Sequence, residues 1–314
     1  MGVKLLLDCD PGHDDAIALL AAVAFGELVG VTTVAGNCDV ATATGNARAA
    51  CQVFGYEGEI AAGAARPLLK ELGDFAPMDP FPPPAADGRG PSVRADVDAA
   101  AFIAERADAE TWLVTTGPMT NAALALRRDA GLVRRLAGVS VMAGSATVGN
   151  VTPVAEFNVW SDPEAAHIVL TSGLPIRMCG LHVTHDVLVG KEFARELRGL
   201  GTRPARFAAA LLDTFIDTYP DAFVGEPHAP LHDACAVLAV THQHLFEWQP
   251  AHAAVELAGS LTRGMTVIDR RDTSSKQAPN VRLALKADAG GVLRTILGAA
   301  ESVGGARRGA GGAG

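Results

Sequence analysis

Cysteine is scarce in this chain: five residues in 314, at Cys9, Cys38, Cys51, Cys179 and Cys235, none of them spaced as a CxxC pair. That excludes a disulfide framework and offers neither a zinc-binding spacing nor a redox pair; the odd count fits a reducing compartment. Charged residues are also few, 19% against 49% hydrophobic, which excludes an intrinsically disordered chain. Basic residues are outnumbered, 26 Lys and Arg against 35 Asp and Glu, for a net charge of −9. A chain of that sign lacks the footprint of a nucleic-acid or anionic-membrane binder, so neither partner is expected. No run reaches the ~18 uncharged apolar residues that a membrane span needs. The three leucines Leu5–Leu7 are too short for a secretory core before Asp8 follows. The expected location is cytoplasmic. The three tryptophans, Trp112, Trp160 and Trp248, read as packing residues, with no paired aromatic clamp among them.

What the chain does have is alternation. Apolar runs at 4–7, 28–34, 112–115, 139–142 and 176–180 read as strands. Helical spacing recurs at 14–25, 41–54, 121–127, 165–170 and 207–218. Residues 267–269 and 281–284 read as late strands that leave an antiparallel pairing open. Strands alternating with helices give an α/β fold: a single-domain, open, mostly parallel sheet with helices on both faces. Two stretches interrupt the rhythm. Residues 73–95 carry Pro77, Pro80, Pro82, Pro83, Pro84 and Pro91, which excludes regular structure and leaves a solvated connection or an active-site lid. Residues 219–230 read as a second irregular loop. No break looks like a domain boundary, so one domain spans 1–303. The Gly- and Ala-rich tail 304–314 is expected to be disordered.

Chemistry concentrates where the first strand ends. Asp8, Asp10, Asp14 and Asp15 fall within eight positions around Pro11-Gly12, at the strand end where open α/β sheets place ligands. The Pro-Gly turn brings Asp14 and Asp15 back beside Asp10. Helix capping by Asp14 accounts for one carboxylate, but not for Asp8 and Asp10 at the end of an apolar strand. A divalent cation accounts for the crowding. All the donors are oxygens, which selects a hard ion over zinc, and a site gathering carbonyls and hydroxyls at high coordination number suits Ca²⁺ better than Mg²⁺.

The run Leu5-Leu6-Leu7-Asp8-Cys9-Asp10-Pro11-Gly12-His13-Asp14-Asp15-Ala16 resembles the N-terminal signature of the inosine–uridine preferring nucleoside hydrolases. The resemblance continues through Val34-Ala35-Gly36-Asn37, Thr115-Thr116-Gly117-Pro118-Met119-Thr120-Asn121, and Met142-Ala143-Gly144-Ser145. It extends through Gly149-Asn150-Val151-Thr152-Pro153-Val154-Ala155-Glu156-Phe157-Asn158 to Asp162-Pro163-Glu164-Ala165-Ala166. Pro230-Leu231-His232-Asp233 and a late strand within 263–270 complete it. It spans roughly Leu5 to Leu283, and this many ordered motifs are specific together.

The resemblance implies a nucleoside-hydrolase-like, Rossmann-like core and a Ca²⁺-dependent enzyme. That enzyme cleaves the N-glycosidic bond of a small-molecule ribonucleoside to ribose and a free purine or pyrimidine base. It implies that Asp10, Asp15, the Thr116 carbonyl and Asp233 bind Ca²⁺. Asp14, Asn37, Asn150, Glu156 and Asn158 would hold the ribose hydroxyls, with Met142 and Phe157 lining the sugar. Asp10 would also be the general base towards the attacking water, and His232 would assist departure of the base. It further implies a homodimer or homotetramer. The residue types suit the chemistry: an oxocarbenium-like ribosyl cation is favoured by preorganised carboxylate and amide oxygens, and a departing base needs a proton or hydrogen bond.

One departure stands out. Many family members carry a His-Gly pair in the loop after the second βα unit. Here that region reads Phe75-Ala76-Pro77-Met78-Asp79-Pro80-Phe81, which leaves Phe75, Phe81 and His228 as candidates for base contact. Two competing functions remain in view. One is a non-catalytic nucleoside-binding relative. The other is a haloacid-dehalogenase-type phosphatase, suggested by Asp8-x-Asp10 after an apolar strand; Pro11-Gly12-His13 does not fit its nucleophile motif.

Overall fold

The computed structural model describes residues 2–71, 80–82, 89–219, 227–271 and 277–310. The strands are β1 (Val3–Cys9), β2 (Gly26–Thr33), β3 (Glu59–Ala62), β4 (Ser92–Arg94), β5 (Thr111–Thr115), β6 (Gly138–Met142), β7 (Ile176–Cys179), β8 (Leu188–Gly190), β9 (His228–Pro230), β10 (Phe246–Val255), β11 (Thr266–Asp269) and β12 (Val281–Ala287). Ten of them form one sheet in the order β11-β10-β12-β7-β6-β5-β1-β2-β3-β4. The pairings from β12 through β4 are parallel. At the other end β10 runs antiparallel to both β11 and β12. β8 and β9 make a separate antiparallel pair.

Leu5, Leu6 and Leu7 in β1 are fully buried, as are Val139 and Val141 in β6. Continuous apolar runs of this kind belong to parallel strands covered on both faces. One face carries the helices Asp15–Phe25, Val40–Phe54, Arg203–Thr218, His232–Thr241 and Ala289–Ala310. The other carries Ala99–Arg106, Thr120–Arg128 and Pro163–Leu170. Helix Asp15–Phe25 is buried from Asp15 through Ala22, because it packs against other helices as well as the sheet. Asp39 caps Val40–Phe54 by accepting from the Ala41 and Thr42 N–H groups at 2.9 and 3.0 Å. Gly55, at φ 87°, ends that helix in the left-handed conformation that favours glycine. Among the described residues no helix is long and apolar enough to cross a membrane.

Three expectations are corrected. Residues 73–95 are not wholly irregular: Ser92–Arg94 forms β4 and pairs with β3, since Pro91 precedes the strand and withholds no ladder donor. Residues 72–79 and 83–88, which hold three of the six prolines, lie outside the described residues, and with them the lid reading. Residues 228–230 of the second loop form β9, whose partner β8 supplies the missing hydrogen bonds; residues 220–226 are outside the description. The last helix runs to Ala310, past the boundary expected at Gly304. At Gly304 an added Cβ would meet the Thr202 side chain, so glycine there lets the helix pack onto the cap of Arg203–Thr218. Residues 311–314 are not described. The tryptophans do pack, each beneath a cation: Lys70 over Trp160, Arg177 over Trp112 and Arg282 over Trp248.

Candidate active site

The C-terminal ends of β1, β5 and β6 open onto a cleft of about 210 Å³. Ten of the twelve expected site residues line it: Asp14, Asn37, Thr116, Met142, Asn150, Glu156, Phe157, Asn158, His232 and Asp233. The other two, Asp10 and Asp15, are fully buried. Val151, Phe215 and Tyr219 line the cleft as well and escape the sequence reading. Phe215 and Tyr219 stand on or just after a helix whose apolar periodicity reads as ordinary core.

The acidic floor is built by the turn after β1. Asp15 Oδ2 accepts the Gly12 N–H at 2.8 Å, and its Oδ1 accepts the Thr116 hydroxyl at 2.7 Å. Asp10 Oδ2 accepts the Asn37 N–H at 2.7 Å, while its buried Oδ1 has no hydrogen-bond partner. A Cβ on Gly36 would lie 2.0 Å from Asp10 Oδ2, and one on Gly117 2.5 Å from Asp10 Oδ1. Both motif glycines are therefore required by the close approach of backbone to carboxylate. Asp14 starts the helix without making a side-chain cap bond, so capping does not account for it. Its carboxylate instead faces that of Asp233.

Asp14, Asp15 and Asp233 present carboxylate oxygens within 4.8 Å of one another. The cluster contains Asp14, expected on the sugar side, and two of the carboxylates expected on the metal. Burial first, and the neighbouring carboxylates second, push Asp10 and Asp233 well above the ordinary carboxylate range and Asp14 up to about 7; Asp15 is raised as well, by burial. Such groups either hold protons or surround a cation. Three clustered carboxylates and the orphaned oxygen of Asp10 are a donor set that a hard divalent cation fits.

Asp8 belongs to the scaffold. Its Oδ1 accepts from the Thr32 hydroxyl at 2.7 Å and from Asn121 Nδ2 at 2.8 Å, tying β1 to β2 and to the helix after β5. Burial raises it to about 6.

The sugar-side wall is held by main-chain contacts. Glu156 caps the helix Phe157–Ser161, accepting from the Asn158 N–H at 2.8 Å and the Val159 N–H at 3.3 Å, and also from the Gly144 N–H at 2.8 Å. Burial nevertheless lifts it to about 7. Asn158 Nδ2 donates to the Thr116 carbonyl at 2.7 Å and to the Met142 carbonyl at 3.0 Å. The carbonyl expected to face a metal thus also holds an amide, which its two lone pairs permit. Asn150 Oδ1 accepts the Phe157 N–H at 2.9 Å from an exposed position.

His232 opens the helix His232–Thr241. Its Nδ1 lies 2.8 Å from Thr184 Oγ1 and its Nε2 3.3 Å from Tyr219 Oη. Burial, aided by the nearby His185, lowers its pKa to about 3. The imidazole is therefore held neutral near pH 7, as a hydrogen-bonding group rather than a cation. Tyr219 is raised to about 12 by burial and by Asp14, so its hydroxyl keeps its proton. The three candidates for base contact fare differently. Phe81 is buried against His13 and Phe207 and does not line the cleft. His228 sits in β9 opposite Gly190. Phe75 is outside the described residues.

Comparison with known proteins shows the family. Residues 5–294 match the family described as inosine-uridine preferring nucleoside hydrolase. A relative from Shewanella sp. (strain ANA-3), named pyrimidine-specific ribonucleoside hydrolase RihA, is 39% identical over 297 residues, covering 88% of this chain and 90% of its own. A protein of the same name from Photobacterium profundum is 40% identical, covering 86% and 90%. The structure superposes on a purine-preferring ribonucleoside hydrolase from Gardnerella vaginalis with a TM-score of 0.84 and 26% identity, covering 96% and 99% of the two chains. An inosine-guanosine nucleoside hydrolase gives 0.83 and 27%, covering 95% and 98%. With the family matched over nearly its whole length and an acidic cluster at the strand ends, the chain belongs to the inosine-uridine preferring nucleoside hydrolase family and is an N-ribosyl hydrolase.

Proposed function

We propose that the enzyme is a Ca²⁺-dependent hydrolase of ribonucleosides that prefers pyrimidine bases. The observation that carries the reading is the floor of Asp10, Asp14, Asp15 and Asp233 beneath a cleft walled by amide and carboxylate groups. The base preference follows the names of the relatives near 40% identity; the purine-directed structures are more distant. Asp10, Asp15, Asp233 and the Thr116 carbonyl would hold the cation, with Asp14 beside them. When bound, a divalent cation supplies a lowered water pKa and neutralises the acidic floor.

The remaining work falls to side chains. Asp10 takes a proton from the attacking water at the oxygen that no protein group occupies. Asp14, Asn37 and Asn150 hold ribose hydroxyls. Glu156 does so with lone pairs left over from its backbone contacts, and Asn158 with its amide oxygen, since its amide nitrogen is committed. Met142 and Phe157 pack on the sugar. His232, neutral, acts as a hydrogen-bonding partner of the leaving base, with the Tyr219 hydroxyl beside it as a second donor.

A leaving-group panel tests this. Uridine and cytidine should exceed inosine, adenosine and guanosine by roughly tenfold or more in kcat/KM, a difference of about 1.4 kcal/mol in transition-state binding; equal turnover of inosine would remove the pyrimidine preference. Loss of a buried hydrogen bond to the departing base costs about 1–3 kcal/mol, roughly 5–150-fold in rate. His232→Ala should therefore lose on that order with uridine and keep most activity on p-nitrophenyl riboside, whose leaving group departs as an anion. Equal damage to both substrates would make His232 a support for Asp233.

The raised carboxylates give a pH-dependent response to Ca²⁺. In the metal-free protein, Asp14 titrates near 7 against an unfolded value of about 3.9. Its contribution to stability is present below the unfolded value and is lost as pH rises through about 7. Histidines lowered by burial, such as His232, work in the opposite direction. Ca²⁺ needs deprotonated ligands, so the rise in Tm on adding Ca²⁺ should be larger at pH 8 than at pH 5. Thermal melts in chelator and in Ca²⁺ at both pH values measure this; an equal rise at both would contradict a carboxylate-held cation.

A further inference from the structure

At the opposite end of the sheet from the reaction cleft, near the start of β5, β7 and β12, lies a second cleft of about 580 Å³. Its walls include Trp112, Pro175, Arg177, Pro250 and Arg282. Arg177 and Arg282 are cross-strand neighbours in the parallel β7–β12 pairing. Arg177 Cζ stands 4.3 Å above the centre of the Trp112 ring, and Arg282 Cζ lies 5.4 Å from that of Trp248. Arg177 spends one N–H on the Ala239 carbonyl at 2.6 Å.

Among the described residues no carboxylate lies within ion-pair distance of either guanidinium. Other arginines of this acidic chain do find one: Arg94 and Arg106 on Glu59, Arg128 on Asp98, Arg263 on Glu164. Like charges set directly opposite on neighbouring strands are destabilising, and burial together with Arg282 already lowers the Arg177 pKa. Two stacked, positioned guanidinium forks beside a cleft within the size range of ligand pockets are the donor arrangement that planar, bidentate recognition of an oxyanion uses.

We propose that this cleft binds phosphate, held between Arg177 and Arg282, either as the free ion or as the phosphate of a nucleotide. The cleft is separate from the hydrolytic site and the proposal stands whatever base that site prefers.

Calorimetric titration of the full-length protein with inorganic phosphate and with uridine 5′-monophosphate, at constant ionic strength set by chloride, tests it. Both arms should show one saturable site if the phosphate group suffices; saturation by the nucleotide alone would assign a nucleotide, and by phosphate alone the free ion. Arg282→Gln, at an exposed position, should weaken binding at least tenfold. Arg177→Lys, which keeps the charge and removes the fork, should also weaken it. Neither change should alter kcat on uridine by more than twofold in phosphate-free buffer. Asp15→Ala should leave phosphate binding intact. Absence of saturable binding, or equal binding by wild type and both arginine variants, would overturn the proposal. So would loss of binding in Asp15→Ala, which would place the anion in the reaction cleft. A changed sedimentation coefficient in Arg282→Gln with a flat phosphate titration would also overturn it, assigning the arginines to a second copy of the chain.

Discussion

Asp15→Ala is expected to reduce ribonucleoside hydrolysis below detection and to remove most of the affinity for Ca²⁺. Asp15 joins two functions in one carboxylate. Its oxygens orient the Gly12 N–H and the Thr116 hydroxyl, and it completes the three-carboxylate cluster with Asp14 and Asp233. Truncation leaves the buried Gly12 N–H without an acceptor, at about 1–3 kcal/mol, and the Thr116 hydroxyl with only the Asp8 carbonyl at 3.4 Å. It also shifts the turn that aims Asp10. The cation loses a charged ligand, so a fall in affinity and a fall in rate should appear together. Base release from uridine and calorimetric Ca²⁺ titration measure the two, and a far-ultraviolet spectrum separates them from unfolding. Retention of full activity would contradict the assignment of Asp15 to the metal.

The second large effect concerns the sugar. A site built to hydrogen-bond a hydroxyl rejects the analogue that lacks it, because its buried polar groups are left unpaired; discrimination of this kind reaches roughly 10⁴–10⁵. Asp14 and Asn158 are 8% and 4% exposed, and Glu156 2%. None can turn to bulk water when the 2′-hydroxyl is missing. 2′-Deoxyuridine should therefore be hydrolysed at least ~100-fold less efficiently than uridine in kcat/KM. Equal efficiency would mean that Asp14 and Asn158 do not hold the sugar.

The centre of the sheet is legible in the sequence because β1 and β5 carry apolar runs that end in polar residues and β6 runs from Val139 to Met142 with only Ser140 interrupting, and the run-to-motif junctions mark the strand ends. The periphery is less so. β10 contains Pro250 beside Gln249, Ala251 and Ala253, weak strand formers that argue against a strand in isolation. The fold accommodates the proline because β11 pairs only from His252 onward, leaving Pro250 with β12 as its single neighbour. The helices Ala99–Arg106 and His232–Thr241 are missed for a related reason. The first is only eight residues long and opens on consecutive alanines, and the second is buried all round, which hides its period.

At the site, the residues that cluster in motifs converge on one cleft, most of them following strand ends of the main sheet and the Pro-Leu-His-Asp segment following β9 of the small one. The sequence carries no signal for Phe215 and Tyr219, which approach from the end of the helix Arg203–Thr218, well before the Pro-Leu-His-Asp segment. The neutrality of His232 is likewise invisible without its surroundings. It depends on burial and on His185, a histidine that no motif singles out.

The most direct test of the account is the release of free ribose from uridine by protein stripped of metal and then reloaded. The stripped protein, verified metal-free by elemental analysis, should release no ribose above background. Addition of Ca²⁺ should restore turnover, with one ribose formed for each uracil released. Full turnover by the verified metal-free protein would contradict the central claim that the buried carboxylates beneath the cleft work through a bound cation.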